Sequence, residues 1–301
     1  MSEERVFTAA PGDTIVLNAA AKINLGLDVT GVREDGYHLL RMVMQSLKLH
    51  DRLLVRTKHA AGIRVKTNRS YLPEDEHNLA GRAVRLLMDE FKIRDGLYVD
   101  IEKHIPSSAG LAGGSSDAAA ALIGVNELFG LGLSRAELQE RAVRIGADVP
   151  YCIMGGTALA EGIGEKLTPL PALPECSIVL VKPPVRVSTK AVYQELDMAR
   201  LGGHPRIDDQ IDAIRSGNLE KTASLCGNVL ESVTAPMHPV IDVIKKKMME
   251  CGALNAMMSG SGPTVFGIFR DTAQARAAAD VMQKERFGQV IVTAPSLSPQ
   301  S

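Results

Sequence analysis

Polar and apolar residues alternate through Lys22-Ile-Asn-Leu-Gly-Leu-Asp-Val29, directly after an apolar run that starts at Thr14. Strict alternation marks a strand with one buried face, so residues 14–29 read as a strand that becomes half-buried. Arg33-Glu-Asp-Gly36 reads as a turn, with Asp-Gly as its chemical signal. Leu53-Leu-Val-Arg56 and Ile63-Arg-Val-Lys66 are further short strands, so the chain opens β-rich. The apolar spacing then switches to three and four. Leu79, Ala83, Leu86, Leu87 and Phe91 fall on one side of a predicted helix over 78–91.

Leu97-Tyr-Val-Asp-Ile-Glu-Lys103 alternates again and runs into a glycine- and serine-rich segment that ends at Ser116. Beyond it Ala118, Ala121, Leu122, Val125 and Phe129 share one helical face. Ser134 and Glu137 form a capping box that opens the next helix, with Gly146 as its expected C-cap. Glycines at 155, 156 and 162 bracket a short strand. Helices are predicted over 187–200, 207–230 and 240–251. A second glycine cluster, Met258-Ser-Gly-Ser-Gly-Pro-Thr264, precedes a strand at 265–269, a helix at 272–284, a short strand and a polar tail. No repeat of fixed period is visible. The texture changes near residue 160, which predicts two domains, 1–160 and 161–301, of mixed α/β (α+β) class.

Composition narrows the function. Of 301 residues 45% are hydrophobic and 23% charged, which excludes wholesale disorder. Lys plus Arg is 34 and Asp plus Glu is 35, so no broad field exists for nucleic acid or an anionic membrane. A local pocket for a phosphorylated small molecule fits that balance. Cys152, Cys176, Cys226 and Cys251 form no C-x-x-C pair, so a disulfide scaffold or zinc knuckle is not expected, and reduced thiols in a cytoplasmic protein are. The N-terminal stretch has no apolar signal core, and the richest apolar run, 118–125, is far short of the ~20 residues that span a bilayer.

A strand, a glycine-rich loop and a helix together make an anion site, because small residues admit the phosphate and helix-start N–H groups point at it. Gly110, Gly113 and Gly114 supply the approach here, with Ser115 and Ser116 as hydroxyls. The segment contains neither G-x-x-x-x-G-K-[ST] nor G-x-G-x-x-G. A plain packing turn is the simpler reading, but so many glycines cost chain entropy. Asp148, in Gly146-Ala-Asp-Val-Pro150, is either a turn or capping aspartate or a general base. Lys22, the lone charge between Asp13 and Asp28, is either an edge-strand lysine with a snorkelling stem or the partner of that base. Tyr37-His38 follow the Gly36 turn in a chain with five Tyr, six Phe and no Trp, so Tyr37 is either a sheet-edge cover or a stacking platform.

Together these segments resemble the GHMP kinases. Residues 106–116 are similar to that family's second motif and Ser259-Gly-Ser-Gly-Pro263 to its third. Ala21-Lys-Ile-Asn-Leu25, Asp35-Gly-Tyr-His38 and Gly146-Ala-Asp-Val-Pro150 resemble one branch, whose substrate is a cytidine diphosphate ester of a branched polyol in non-mevalonate isoprenoid synthesis. The resemblance implies a two-domain kinase fold with the active site in the cleft between the domains, the first of them nucleotide-binding and catalytic. It implies phosphoryl transfer from ATP, as MgATP, to a tertiary hydroxyl. Asp148 would be the base and Lys22 its partner. Pro106, Ser107, Ser108, Ala109, Gly110, Leu111, Ala112, Gly113, Gly114, Ser115 and Ser116 would hold the nucleotide, flanked by Lys103, Asn78 and Leu79. Asn24, Tyr37, His38, Thr189 and Tyr193 would contact the substrate, and Gly260, Ser261 and Gly262 would lie near the phosphates. Ser107-Ser108-Ala109 depart from the Met-Gly-Gly of other members, and no acidic residue matches the family's magnesium-binding glutamate. Mg²⁺ is thus expected without a named protein ligand, and a monomer or weak homodimer is expected. Another small-alcohol kinase of homoserine or mevalonate type, or a catalytically silent binding protein, stays open on sequence grounds.

Overall fold

The computed structural model describes residues 9–10, 12–58, 61–198 and 201–296. Two long strands, β1 (Thr14–Val32) and β2 (His38–Lys58), form a hairpin closed at the Arg33–Gly36 turn. β2 is long enough to pair on its other edge with two partners in succession, β5 (Thr157–Gly162) at residues 40–45 and β4 (Gly96–Glu102) at residues 52–58. With β3 (Ile63–Thr67), β6 (Lys166–Leu170) and the two-residue β8 (Gly227–Asn228) they make a seven-stranded sheet. Packed on this sheet are α1 (Leu79–Glu90), α2 (Gly113–Leu128) and α4 (Val149–Met154), with α3 (Arg135–Ala142) packed on α2 and α4. α1 starts at Asn78, whose side chain accepts from Ala80 N at 3.0 Å. α3 carries the predicted capping box. α2 is buried on all sides from Ser116 to Val125, which its alanine-rich run permits.

A second, four-stranded sheet follows in the order β11-β7-β10-β9, from β7 (Ser177–Lys182), β9 (Asn255–Met258), β10 (Val265–Phe269) and β11 (Gln289–Thr293). α9 (Val240–Glu250) and α10 (Thr272–Lys284) pack on it. The apolar core between the two sheets joins Ala21, Ile23 and Leu25 of β1 to Ile178, Leu180, Phe266 and Ile268, with Ile207 and Ile211 of α6 (Ile207–Arg215). Each fully buried Leu or Ile in such a core contributes about 1.5–3 kcal/mol. Backbone bonds also lace the sheets together. Lys48 N donates to Ala294 O and Ser296 N to Ser46 O, while β8 pairs with Gly26 and Leu27 of β1.

Several elements differ from the sequence expectations. Residues 21–29 of β1 are buried on both faces, because their polar side chains find partners within the protein instead of solvent: Lys22 with Asn24 and Asp148, and Asp28 with His204. Lys22 is 5% exposed. Because β8 pairs only with Gly26 and Leu27, it is the glycine loop that covers the edge at residue 22, where Lys22 N donates to Leu111 O. Lys22 is therefore not a solvent-facing edge-strand lysine. The helix expected over 187–200 is α5 (Thr189–Glu195), and residues 199 and 200 lie outside the described residues, as do the N-terminal stretch through residue 8 and the tail from residue 297. The helix expected over 207–230 breaks at Gly217 (φ +67°), after which Asn218 caps α7 (Leu219–Ser224). α3 ends at Val143 rather than Gly146, and the six-residue α4 is too short to register as a period. Residue 160 lies inside β5, and the chain passes between the sheets at 171–176.

Candidate active site

A cavity of about 1080 Å³ opens between the β1–β2 hairpin, the 106–115 loop, α5 and the 259–262 loop. On its wall Lys22 Nζ lies 3.5 Å from Asp148 Oδ2. The two residues come from β1 and from the N-terminus of α4. Asp148 stands at that helix's N-cap but makes no side-chain cap bond, so a capping role does not account for it. Burial pushes the Tyr193 phenol and the Cys152 thiol well above their ordinary range, and the Asp148 charge adds to both shifts. Lys22 donates to Asn24 Oδ1 at 2.8 Å, and Asn24 Nδ2 donates to the Met42 sulfur at 3.3 Å. Asn24 is thus spent on fixing the lysine. It is fully buried and off the cavity wall, contrary to its expected substrate contact.

The first glycine loop runs between β4 and α2. Ser108, Gly110 and Ala112 adopt positive φ, at 49°, 76° and 55°. This winding turns the chain back so that α2 begins at the cavity, with Gly113, Gly114 and Ser115 on its wall. Pro106, Ser107, Ser108, Ala109, Gly110 and Ala112 also line it. Leu111 and Ser116 do not: Leu111 packs in the inter-sheet core, and Ser116 Oγ donates to Ala20 O at 2.6 Å. A Cβ on Gly110 would meet Ser259 O at 2.1 Å, because the two glycine loops touch there. Ser259 Oγ donates to Gly110 O at 2.9 Å across the same contact. A Cβ on Gly113 would meet Ile105 at 3.1 Å and Lys103 Nζ at 3.3 Å, so this glycine serves packing beneath the loop rather than access from the cavity.

In the second cluster Gly260 and Ser261 line the cavity, and Gly262 is turned away, where its Cβ would meet Met258. Thr189, the first residue of α5, shares a hydrogen bond of 2.8 Å with Ser261. Tyr37 is 61% exposed at the cavity rim. The His38 and Tyr193 rings pack with centroids 5.0 Å apart, so Tyr193 faces His38 in this arrangement. Asn78 and Leu79 line the cavity with Leu72, Pro73 and His77, and Leu79 lies beside Gly114. Sequence reasoning named Asn78 and Leu79 but missed the 71–77 stretch before them. Tyr71 donates from its hydroxyl to Ser107 Oγ at 2.9 Å, on the serine that departs from the family pattern. Lys103 lines the cavity too, but its ammonium is bound by the buried carboxylates of Asp51 and Asp117. Both aspartates were missed as well, though a lone acid opening an alanine-rich helix is a visible signal at Asp117.

Among the described residues no group of three or more His, Cys, Asp or Glu could hold a metal by itself, and no helix is long and apolar enough to cross a membrane. The arrangement suits a small anionic molecule whose phosphates meet N–H groups at the start of α2, in a cavity that also holds an ion-paired carboxylate. Comparison with known proteins agrees. Residues 78–156 match the model of the GHMP kinases N terminal domain, and residues 210–288 that of the GHMP kinases C terminal. The chain is 53% identical over 287 residues to the 4-diphosphocytidyl-2-C-methyl-D-erythritol kinase of Lachnospira eligens, covering 95% of this chain and 100% of that protein. A crystal structure of 4-(cytidine 5'-diphospho)-2C-methyl-D-erythritol kinase superposes with TM-score 0.80 at 32% identity, over 94% of this chain and 99% of that one. A homoserine kinase from Cytophaga hutchinsonii superposes with TM-score 0.79 over 99% of both chains, but at 19% identity it shares the fold alone. The chain belongs to the GHMP kinases, in the 4-diphosphocytidyl-2-C-methyl-D-erythritol kinase branch.

Proposed function

We propose that this protein transfers the γ-phosphoryl group of ATP to the tertiary, 2-position hydroxyl of 4-diphosphocytidyl-2-C-methyl-D-erythritol. The observation that carries the reading is the Lys22–Asp148 pair at 3.5 Å, lining one cavity together with both glycine loops. Asp148 Oδ2 takes the proton of the attacking hydroxyl, and the Lys22 ammonium 3.5 Å away orients that carboxylate and offsets charge as the bond forms. Asn24 acts through Lys22, holding its ammonium toward Asp148. The N–H groups at Gly113, Gly114 and Ser115 hold the triphosphate, and Gly260 and Ser261 close on it from the second loop. Asn78 and Leu79 bound the adenine. Tyr37, His38 and Tyr193 hold the cytosine, and Thr189 orients the polyol phosphates.

Mg²⁺ needs one or two protein oxygens beside those of the phosphates. Ser115, on the wall at the start of α2, would offer one such oxygen to a cation carried in by the nucleotide, while Asp148 is already paired with Lys22. When bound, the ion neutralises phosphate charge. Catalysis then rests on alignment and fixed charge.

ADP release measured against a panel of alcohols tests the reading. The cytidylylated erythritol should support turnover, and homoserine and mevalonate should not. Turnover on either of those instead would overturn the substrate assignment, and no turnover on any would make the chain a silent binding protein.

A further inference from the structure

The buried ion cluster beneath the first glycine loop joins three separate elements. Asp51, fully buried on β2, directs Oδ2 at Lys103 Nζ. Its Oδ1 accepts from His104 N at 2.5 Å and Ile105 N at 2.8 Å. The β2–β4 ladder ends at Arg52 and Glu102, so residues 104 and 105 are where the chain leaves the sheet. Asp51 supplies the acceptors that the ladder no longer provides. Lys103 Nζ also donates to Asp117 Oδ2 at 2.5 Å, in the first turns of α2, while Asp117 Oδ1 has no partner. Two carboxylates and one ammonium are costly to bury, and apolar packing would hold three elements together at less cost. Such a cluster is suited to setting a register.

We propose that Asp51 is a positioning residue of the nucleotide site, fixing the start of the glycine loop through its backbone N–H groups and the start of α2 through Lys103. Asp51 is not on the cavity wall, so it acts only through these partners. The inference rests on the reading above that this loop holds the ATP phosphates. It assigns unequal weight to the two acids. Asp51 holds the loop by three bonds, whereas Asp117 contributes one bond and leaves an oxygen unpaired. An Asn at 51 cannot serve both sides, since an amide that accepts from residues 104 and 105 turns its NH₂ toward the ammonium.

The test compares Asp51→Asn and Asp117→Asn by steady-state kinetics and by calorimetric titration with MgADP. For Asp51→Asn, the ATP KM and the ADP Kd are expected to rise at least tenfold, with the KM for the cytidyl alcohol within about twofold of wild type. For Asp117→Asn, both nucleotide constants should stay within about threefold. Unchanged ADP affinity in a folded Asp51→Asn protein overturns the proposal, as do equal losses in the two variants or a fall in kcat alone. If Asp51→Asn does not fold, Asp51→Glu replaces it with the same expectation. Should neither fold, Asp51 is a structural residue only and the proposal is wrong. Wild-type protein that binds no ADP would refute the kinase reading itself, a result distinguishable from any of these.

Discussion

Asp148→Asn is the sharpest perturbation of the proposed chemistry. The substitution keeps side-chain shape and removes only the ability to take a proton. Because Asp148 makes no cap bond with α4, the helix loses nothing by it. Lys22, at 7% side-chain exposure, loses the charge 3.5 Å away but keeps its bond to Asn24 Oδ1, so melting should move by a few degrees at most. A positioned acid–base group is worth roughly 10²–10⁴ in rate, about 3–5.5 kcal/mol of barrier. The variant's kcat in an ADP-release assay should fall by that factor. Its MgADP Kd should stay within about twofold of wild type, since the phosphate loops are untouched. Residual turnover reflects alignment alone. Adding Lys22→Met should cost little beyond Asp148→Asn, because the two act as one unit. A loss smaller than about tenfold, or a parallel loss of ADP affinity, would refute the assignment of the base.

Four further outcomes are expected. Tyr37→Ala should raise the cytidyl-substrate KM about ten- to a hundredfold, matching ~1–3 kcal/mol for a lost base stack. His38→Ala should relax discrimination between cytidyl and uridyl substrates, and neither variant should change the ATP KM; both are read by initial-rate kinetics. Gly110→Ala would force a Cβ to 2.1 Å from Ser259 O at φ +76°, so little folded protein is expected by circular dichroism, whereas Gly114→Ala, 3.4 Å from the nearest atom, should fold. Burial, reinforced by Asp51 and opposed by Lys103, pushes the Asp117 pKa up from 3.8 to about 8. The folded state then retains a proton that the unfolded chain releases, so wild-type stability falls as pH rises from about 4 to 8. Melting curves should show Asp117→Asn gaining on wild type across that window and holding a constant margin above it.

What the sequence disclosed depended on how local each signal was. α1 was legible to its boundaries, because a capping Asn78 and a clean period of three and four coincide in one segment. The glycine loop and the aspartate string were legible as strings. That Lys22 meets Asp148 was not, since the meeting depends on where α4 places its first residue against β1. Asp51 was invisible for a similar reason: its work begins where the β4 ladder ends, and no spacing in the sequence encodes that register. The break in the 207–230 helix was written in Ser216-Gly-Asn218 and was outweighed by the apolar period on either side. The buried polar residues of β1 mimicked surface alternation because internal hydrogen-bond partners and open water both select polar side chains.

The backbone bonds that lace the two sheets also bear on how the chain is made. A nascent chain that has emerged through β6 holds most of the first sheet but neither β8 nor residues 294–296. The inner faces of Ala21, Ile23, Leu25 and Leu47 are then uncovered, because their partners, Ile178, Leu180, Phe266 and Ile268, are still untranslated. At roughly 5–20 residues per second, that interval lasts on the order of ten seconds. During it the β1–β2 hairpin is exposed to chaperones and to other nascent chains. The first half of the molecule is therefore not a module that can be cut out and expressed alone, and its completion waits on residues made more than a hundred positions later.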